Sequence, residues 1–245
     1  MYLVKSRAVG LVNYNVFIPY YHSSTWLDLT SCFSTKNEPE VKGDEIFEFI
    51  TEPAESNKKL AMENVSVIND FLSQSEEKSL LKEIEPYMKR LRYQYDHWDH
   101  AIHGFRETER LKWNESNSAI LNKIKCIAFG NDSTLPHTHI LDLAENGYIK
   151  PHIDSIRFCG NTIAGASLLS DSVMRFCNEQ NKFTFSVLLK RRSLYIMRGP
   201  VRYDFTHEIL SNDVSCFQGN KIIKTRRISV ICRSRPEPTN EENEP

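Results

Sequence analysis

The chain has no excess of charge of either sign. Its 245 residues carry 31 Lys and Arg against 32 Asp and Glu, a formal net charge of −1. No overall basic field draws it to nucleic acid, so duplex DNA is not expected as a partner, although a local basic groove would escape this test. Paired cysteines are also missing. The six cysteines (Cys32, Cys126, Cys159, Cys177, Cys216 and Cys232) are scattered, with no C-x-x-C spacing. That excludes a zinc framework of paired cysteines and suits a reducing compartment better than a disulfide scaffold. No long apolar run survives near the N-terminus, where Asn13, Asn15 and Pro19 interrupt the hydrophobic residues, so no membrane span is expected. Acids are absent before Asp28, while Lys5, Arg7 and several Ser and Thr are present, the flavour of a mitochondrial transit peptide.

Length and composition fit one domain with tails. Residues 1–33 are expected as the transit segment and 34–63, polar and rich in turn formers, as a linker. The folded domain is expected from 64 to 236, with 237–245 a disordered acidic tail. Val65 to Ile68 reads as a short strand. Ser73 and Glu76 stand in capping-box spacing before Leu80, Leu81, Ile84, Tyr87, Met88 and Leu91, a helical apolar stripe interrupted by Pro86. A second helix is expected from about Ser116 to Phe129. Its buried side would carry Ile120, Leu121, Ile124 and Ile127, and Gly130 would close it.

The second half is β-structure. Candidate strands span 138–143, 148–154, 162–169, 172–178, 183–190, 193–198, 203–209 and 226–234. Turn chemistry separates them, and Asn146-Gly147 is the strongest hairpin signal. The fold class is therefore α+β, mainly β: a sandwich or jelly roll with two N-terminal supporting helices.

Within this region, Tyr148-Ile-Lys-Pro-His-Ile-Asp154 places His152 and Asp154 two residues apart, on one face of a strand. With a distant second histidine, His207, they make a two-His-one-carboxylate set. Such a set covers one face of a ferrous ion and leaves the other open. On the last strand Arg227, Ser229, Ile231 and Arg233 share a face, and the two arginines stand about 20 Å apart along the backbone at ~3.3 Å per residue. Their guanidinium forks could grip a small dicarboxylate between them. Arg226 points the opposite way and is expected in solvent.

Two other histidine groups compete. His97, His100 and His103 stand three apart, and His137-Thr-His139 puts two on one strand face. Neither group has a cysteine or carboxylate in the right pattern, so surface or structural roles are preferred. From Arg92 to Trp113 aromatics alternate with charges. They could stack on bases, but near-balanced charge favours ordinary strands.

The order of HxD, distant His and R-x-S-x-x-x-R resembles the AlkB family of iron- and 2-oxoglutarate-dependent dioxygenases. The runs His152-Ile-Asp-Ser-Ile-Arg-Phe-Cys-Gly, Ser193-Leu-Tyr-Ile-Met-Arg-Gly and Arg226-Arg-Ile-Ser-Val-Ile-Cys-Arg-Ser look like its mitochondrial branch. The resemblance spans roughly Asn64 to Pro236 and implies a double-stranded β-helix core. It implies His152, Asp154 and His207 as Fe(II) ligands, Arg227 on the far carboxylate of 2-oxoglutarate, Arg233 near the metal-side carboxylate, and Tyr195 as a further donor to the co-substrate. Many relatives carry Asn and Tyr eleven and nine residues before the first iron histidine. Here Leu141 and Leu143 stand there, with Tyr195 as a replacement donor, and Ser229 occupies a common Asn position.

The implied reaction consumes 2-oxoglutarate and dioxygen. It yields succinate, carbon dioxide and a hydroxylated C–H bond, or a demethylated nitrogen when the carbon sits on one. The branch implies a mitochondrial matrix location and is associated with fatty-acid metabolism and regulated necrosis. Three functions follow: hydroxylation of a protein or other non-duplex target, N-methyl demethylation of mitochondrial RNA, or 2-oxoglutarate sensing without turnover.

Overall fold

The computed structural model describes residues 45–95 and 101–237. The expected transit segment, nearly all of the acidic tail, and His97, Trp98 and His100 lie outside the described residues. In chain order the elements are β1 (Phe47–Phe49), α1 (Glu55–Asn64), β2 (Val65–Ile68), α2 (Gln74–Met88), β3 (Ile102–Arg110), α3 (Glu115–Phe129), β4 (Thr138–His152) and β5 (Thr162–Leu168). There follow β6 (Ser172–Asn178), β7 (Thr184–Leu189), β8 (Leu194–Arg198), α4 (Gly199–Asp204), β9 (Phe205–Ile209), β10 (Cys216–Phe217), β11 (Asn220–Lys221) and β12 (Arg227–Arg233).

One antiparallel sheet, in the order β1-β7-β6-β9-β4-β12-β5-β8-β2 with β3 also on β4, curls round an apolar interior. It is a jelly roll, as expected. Strand β4 organises it. β3 runs along one edge, while the other edge pairs with β12 over His139–Leu143 and with β9 at Ile149 and His152. One strand therefore belongs to both halves of the curl, and its last residue is His152.

The change of partner falls where a hairpin was expected. Asn146-Gly147 is not a turn; it lies inside β4. Opposite it, β3 bulges between His103 and Phe105, with Gly104 at φ 62°. A Cβ on Gly147 would stand 2.4 Å from the Gly104 carbonyl oxygen, so the glycine permits a close backbone crossing. Buried Lys224 donates from Nζ to the carbonyls of Ala144 and Glu145, both at 2.8 Å, and fastens the kink.

Strand β12 shows how a period of two builds two environments. Ile228, Val230 and Cys232 face outward into a cluster with Leu80, Ile84 and Met88 of α2 and Ile120, Leu121 and Ile124 of α3. Arg227, Ser229, Ile231 and Arg233 face inward. Fully burying a side chain such as Ile124 stabilises by roughly 1.5–3 kcal/mol. Helix α2 starts at the expected capping box: Ser73 Oγ accepts from the Glu76 amide at 3.1 Å, and Glu76 Oε2 accepts from the Ser73 amide at 2.7 Å. Asn114 caps α3 and Gly130, at φ 56°, closes it.

Several expectations are corrected. Residues 34–63 are not all linker, because β1 pairs with β7 and α1 is a regular helix. Only one turn of α1, Leu60 to Met62, is apolar, too little to show a helical period. The two supporting helices are therefore joined by α1 and by short α4. Tyr87, Leu91 and Ile127 are exposed; Tyr87 instead stacks under the Arg110 guanidinium at 4.3 Å.

Arg226 is only partly exposed and is engaged by acids rather than free in solvent. It donates to Asp142 (Nε 3.0 Å, Nη2 2.7 Å) and to Glu85. Asp142 is fully buried and also accepts from Arg106 Nε at 2.7 Å and Tyr93 Oη at 3.1 Å, so one carboxylate joins β3, β4 and β12. Removing a partner's charge from such a buried cluster costs about 3–5 kcal/mol. Asp142→Asn is expected to lose that much in a urea unfolding titration; a loss below about 1 kcal/mol, typical of a surface pair, would contradict the role given to this cluster.

Candidate active site

The site lies inside the sheet, in a cavity of about 160 Å³ lined by every residue singled out for it: His152, Asp154, His207, Tyr195, Arg227 and Arg233. Antiparallel register sets His152 of β4 directly opposite His207 of β9. Their rings stand 4.3 Å apart, centre to centre, tilted by 44°. Asp154 follows two residues after His152, with Oδ2 3.9 Å from His207 Nε2 and Oδ1 3.7 Å from Arg233 Nη2. His152 Nδ1 donates to the Lys150 carbonyl at 2.9 Å, which leaves Nε2 with its lone pair free to coordinate.

Among the described residues no three such side chains are already gathered into a finished metal site. The donors nonetheless fit a divalent metal in kind and protonation state. Burial pushes the Asp154 carboxyl up, but Arg233, His207, His152 and Arg202 outweigh it, and its pKa falls to about 2. Burial and the neighbouring His152 take His207 down to about 3, against a smaller opposing pull from Asp154. At neutral pH the set is one carboxylate and a neutral imidazole beside His152, and metal binding requires those forms.

Arg227 is 1% exposed and donates from Nε to Ser167 Oγ at 3.0 Å. Its Nη2 is buried without a partner, and so is Arg233 Nε. Among the described residues Arg227 forms no ion pair, and burial lowers its pKa to about 10, still cationic at pH 7. Tyr195 lies beside it, 6% exposed, with its ring across Gly165, its partner on β5. Leu141 lines the cavity, and Leu143 pairs with Arg227 in register.

Two residues that sequence reasoning did not assign to the site belong to it. His139 Nδ1 accepts from Arg233 Nη1 at 3.1 Å, and its Nε2 pairs with Glu107 Oε2 of β3 at 2.9 Å. The pair holds Arg233 from behind. His139 shares the inward face of β4 with Leu141, so the period of two was the available signal; Glu107 had none, because β3–β4 pairing is not legible in the sequence. The loop that follows Asp154 exposes Ile156 and Phe158, with the Arg157 guanidinium 5.6 Å from the Phe158 ring.

Solved structures share the fold. OsALKBH1 superposes with a TM-score of 0.52 at 11% identity, over 70% of this chain and 98% of that one. A prolyl hydroxylase from Trichoplax adhaerens, solved with a peptide of hypoxia inducible factor, gives 0.53 at 12% identity, over 76% and 90%. The fold is that of the jelly-roll 2-oxoglutarate oxygenases. No family model matches the chain. Its sequence is 56% identical over 169 residues to the bovine mitochondrial alpha-ketoglutarate-dependent dioxygenase alkB homolog 7, covering 68% of this chain and 76% of the bovine protein. The mouse protein of the same name is 54% identical over the same shares. The chain belongs to the AlkB family of 2-oxoglutarate-dependent dioxygenases. A Caenorhabditis elegans DNA N6-methyl adenine demethylase is a more distant relative, 25% identical over 227 residues, 88% of this chain and 76% of that one.

Gly165→Ala tests the pocket wall. Its Cβ would stand 2.4 Å from Tyr195 Cε1 and 2.6 Å from the hydroxyl oxygen, so the ring must move. Calorimetric titration is expected to show 2-oxoglutarate binding at least about tenfold weaker, roughly 1.4 kcal/mol. Unchanged affinity would exclude Tyr195 from the co-substrate site.

Proposed function

We propose that the chain is a mitochondrial matrix oxygenase that uses Fe(II), 2-oxoglutarate and dioxygen to hydroxylate a protein or other non-duplex target. The observation that carries this reading is Arg227, a cation sealed in the sheet interior with no ion-pair partner among the described residues and one donor left idle. An isolated buried charge is too costly to keep without an anion. A dicarboxylate whose far end meets Arg227 and Ser167 would supply it, and a bidentate fork suits that carboxylate. Tyr195 would donate its hydroxyl to the same molecule, and Arg233, braced by His139, would steady the metal-side carboxylate together with Asp154. His152, Asp154 and His207 would hold the iron.

Dioxygen is the oxidant; bound iron would activate it while 2-oxoglutarate supplies two electrons, so that one oxygen atom goes to the target C–H bond and the other to succinate, with carbon dioxide released. The protein's share is orientation. The two histidines and Asp154 would hold the metal at the end of β4, and Leu141 and Ile231 would keep water from the co-substrate. The near-zero net charge suits a protein target better than a polyanion. The names of the bovine and mouse relatives support the mitochondrial location.

The test is succinate release from 2-oxoglutarate with Fe(II) and ascorbate, with matrix protein or with mitochondrial RNA. Turnover stimulated by the protein fraction supports the reading; stimulation by RNA alone, with demethylation and steep salt dependence, would replace the target class. Arg227→Met is expected to abolish 2-oxoglutarate-dependent turnover while leaving the ligand-free protein as stable or more stable, because an apolar side chain replaces an unpaired buried cation. A marked loss of ligand-free stability would mean that Arg227 serves the fold instead.

A further inference from the structure

The loop after Asp154 is held in an unusual way. Residues 155–160 form no helix or strand, and their outward side chains lack cover: Ile156 and Phe158 are among the most exposed large apolar residues described. Packing from above therefore cannot fix this backbone. What holds it lies beneath. Arg202 of α4 is 0% exposed, and its Nε donates to the Gly160 carbonyl at 3.2 Å. Its Nη2 donates to the carbonyls of Ser155 at 3.3 Å and Cys159 at 3.0 Å. Among the described residues its hydrogen bonds go only to this loop, and Nη1 has no partner.

A buried guanidinium whose hydrogen bonds go to carbonyls, with the Tyr203 ring 4.9 Å away, is an expensive way to fill space, and an apolar residue of similar volume would avoid the cost. What the guanidinium offers is a planar fork whose donors have fixed directions, able to tie several carbonyls at once. Placement gives the tie its meaning. Asp154 immediately precedes the loop, and His207 lies five residues beyond Arg202, at the centre of β9. His207 reaches the site from β9, while Asp154 lies two residues past the end of β4 and not, as expected, on a strand continuing to it, with 3.9 Å between Asp154 Oδ2 and His207 Nε2. The far end of the loop is seated too: the Gly160 amide donates to the Ser234 carbonyl at 2.9 Å, and a Cβ on Gly160 would stand 2.1 Å from the Arg235 carbonyl oxygen.

We propose that Arg202 is a positioning residue of the metal centre: by tying the carbonyls of Ser155, Cys159 and Gly160 to α4, it sets the separation of Asp154 from His207 before any metal arrives. This rests on the reading of His152, Asp154 and His207 as the ligands. The guanidinium touches neither metal nor co-substrate; it acts through the backbone that carries a ligand.

The experiment is a Co(II) titration of the full chain, followed by visible absorption, for the wild type, His152→Ala, Arg202→Gln and Arg202→Lys, with thermal unfolding recorded beside it. Loss of an orienting partner behind a metal ligand weakens metal binding about 10–100-fold, and Arg202→Gln is expected in that range with an altered Co(II) spectrum. Arg202→Lys should recover part of the affinity, since it keeps the charge but not the fork. Arg202→Gln that is folded and binds Co(II) with wild-type affinity and spectrum overturns the proposal. Wild-type protein that binds no Co(II), or binds it equally after His152→Ala, overturns the ligand assignment itself. The wild type gives a second reading that needs no variant. The amides of Phe158, Cys159 and Gly160, bonded to the Ser155 and Ser234 carbonyls, are expected to be protected from hydrogen exchange without metal. Protection appearing only after metal is added would show that the metal, not Arg202, orders the loop.

Discussion

A guanidinium sealed within a β-sheet interior, with no ion-pair partner among the described residues, is the constraint on which this site depends. Arg227 is as buried as Val230 or Ile228 on the same strand, yet it carries a charge. Folding must keep that charge away from water, and little in the protein repays the cost: one hydroxyl from Ser167 and a tyrosine ring at its side. Arg226, the preceding residue, shows the contrast. Its charge meets Asp142 and Glu85, and its pKa is raised. Adjacent arginines on opposite faces of one strand thus do opposite work. Arg226 fastens the outside of the sheet, and Arg227 waits inside it.

The rest of the architecture brings donors to that cation. β4 is long enough to pair with β12 at one end and β9 at the other, so the strand that runs beside Arg227 also ends in His152 opposite His207. The kink at Ala144–Gly147 makes this possible. It is fixed by a glycine crossing on one side and by Lys224 on the other, and neither contact touches the site. Helices α2 and α3 pack on the back of the same strands and give the sheet an apolar face to rest on. The Asp142 cluster fastens the β3 side. Arg202 is set between the two segments that converge on the cavity.

Much of this was legible in the sequence because strand alternation is local. Arg227, Ser229, Ile231 and Arg233 share a face as the period of two requires, and the capping box at Ser73 and the glycine closure at Gly130 are short-range rules that held. What failed depends on partners distant in the chain. Asn146-Gly147 carries the strongest local signal for a hairpin, yet the bulge of β3 puts it in mid-strand. Arg226 was expected in solvent because its partners, Asp142 and Glu85, lie 84 and 141 residues away. The part played by His139 in bracing Arg233 needed the β3–β4 and β4–β12 pairings together. The short apolar stretch of α1 left that helix hidden in what looked like linker.

The central claim is that one buried cation and one metal centre hold two ends of the same small molecule. Calorimetric titration of 2-oxoglutarate with and without Mn(II), a stand-in for the ferrous ion, tests it most directly. The account predicts that Mn(II) tightens 2-oxoglutarate binding at least about tenfold, and that 2-oxoglutarate tightens Mn(II) binding by the same factor, as linkage requires. Equal 2-oxoglutarate affinity with and without the metal would contradict it, because the two sites would then not share a ligand.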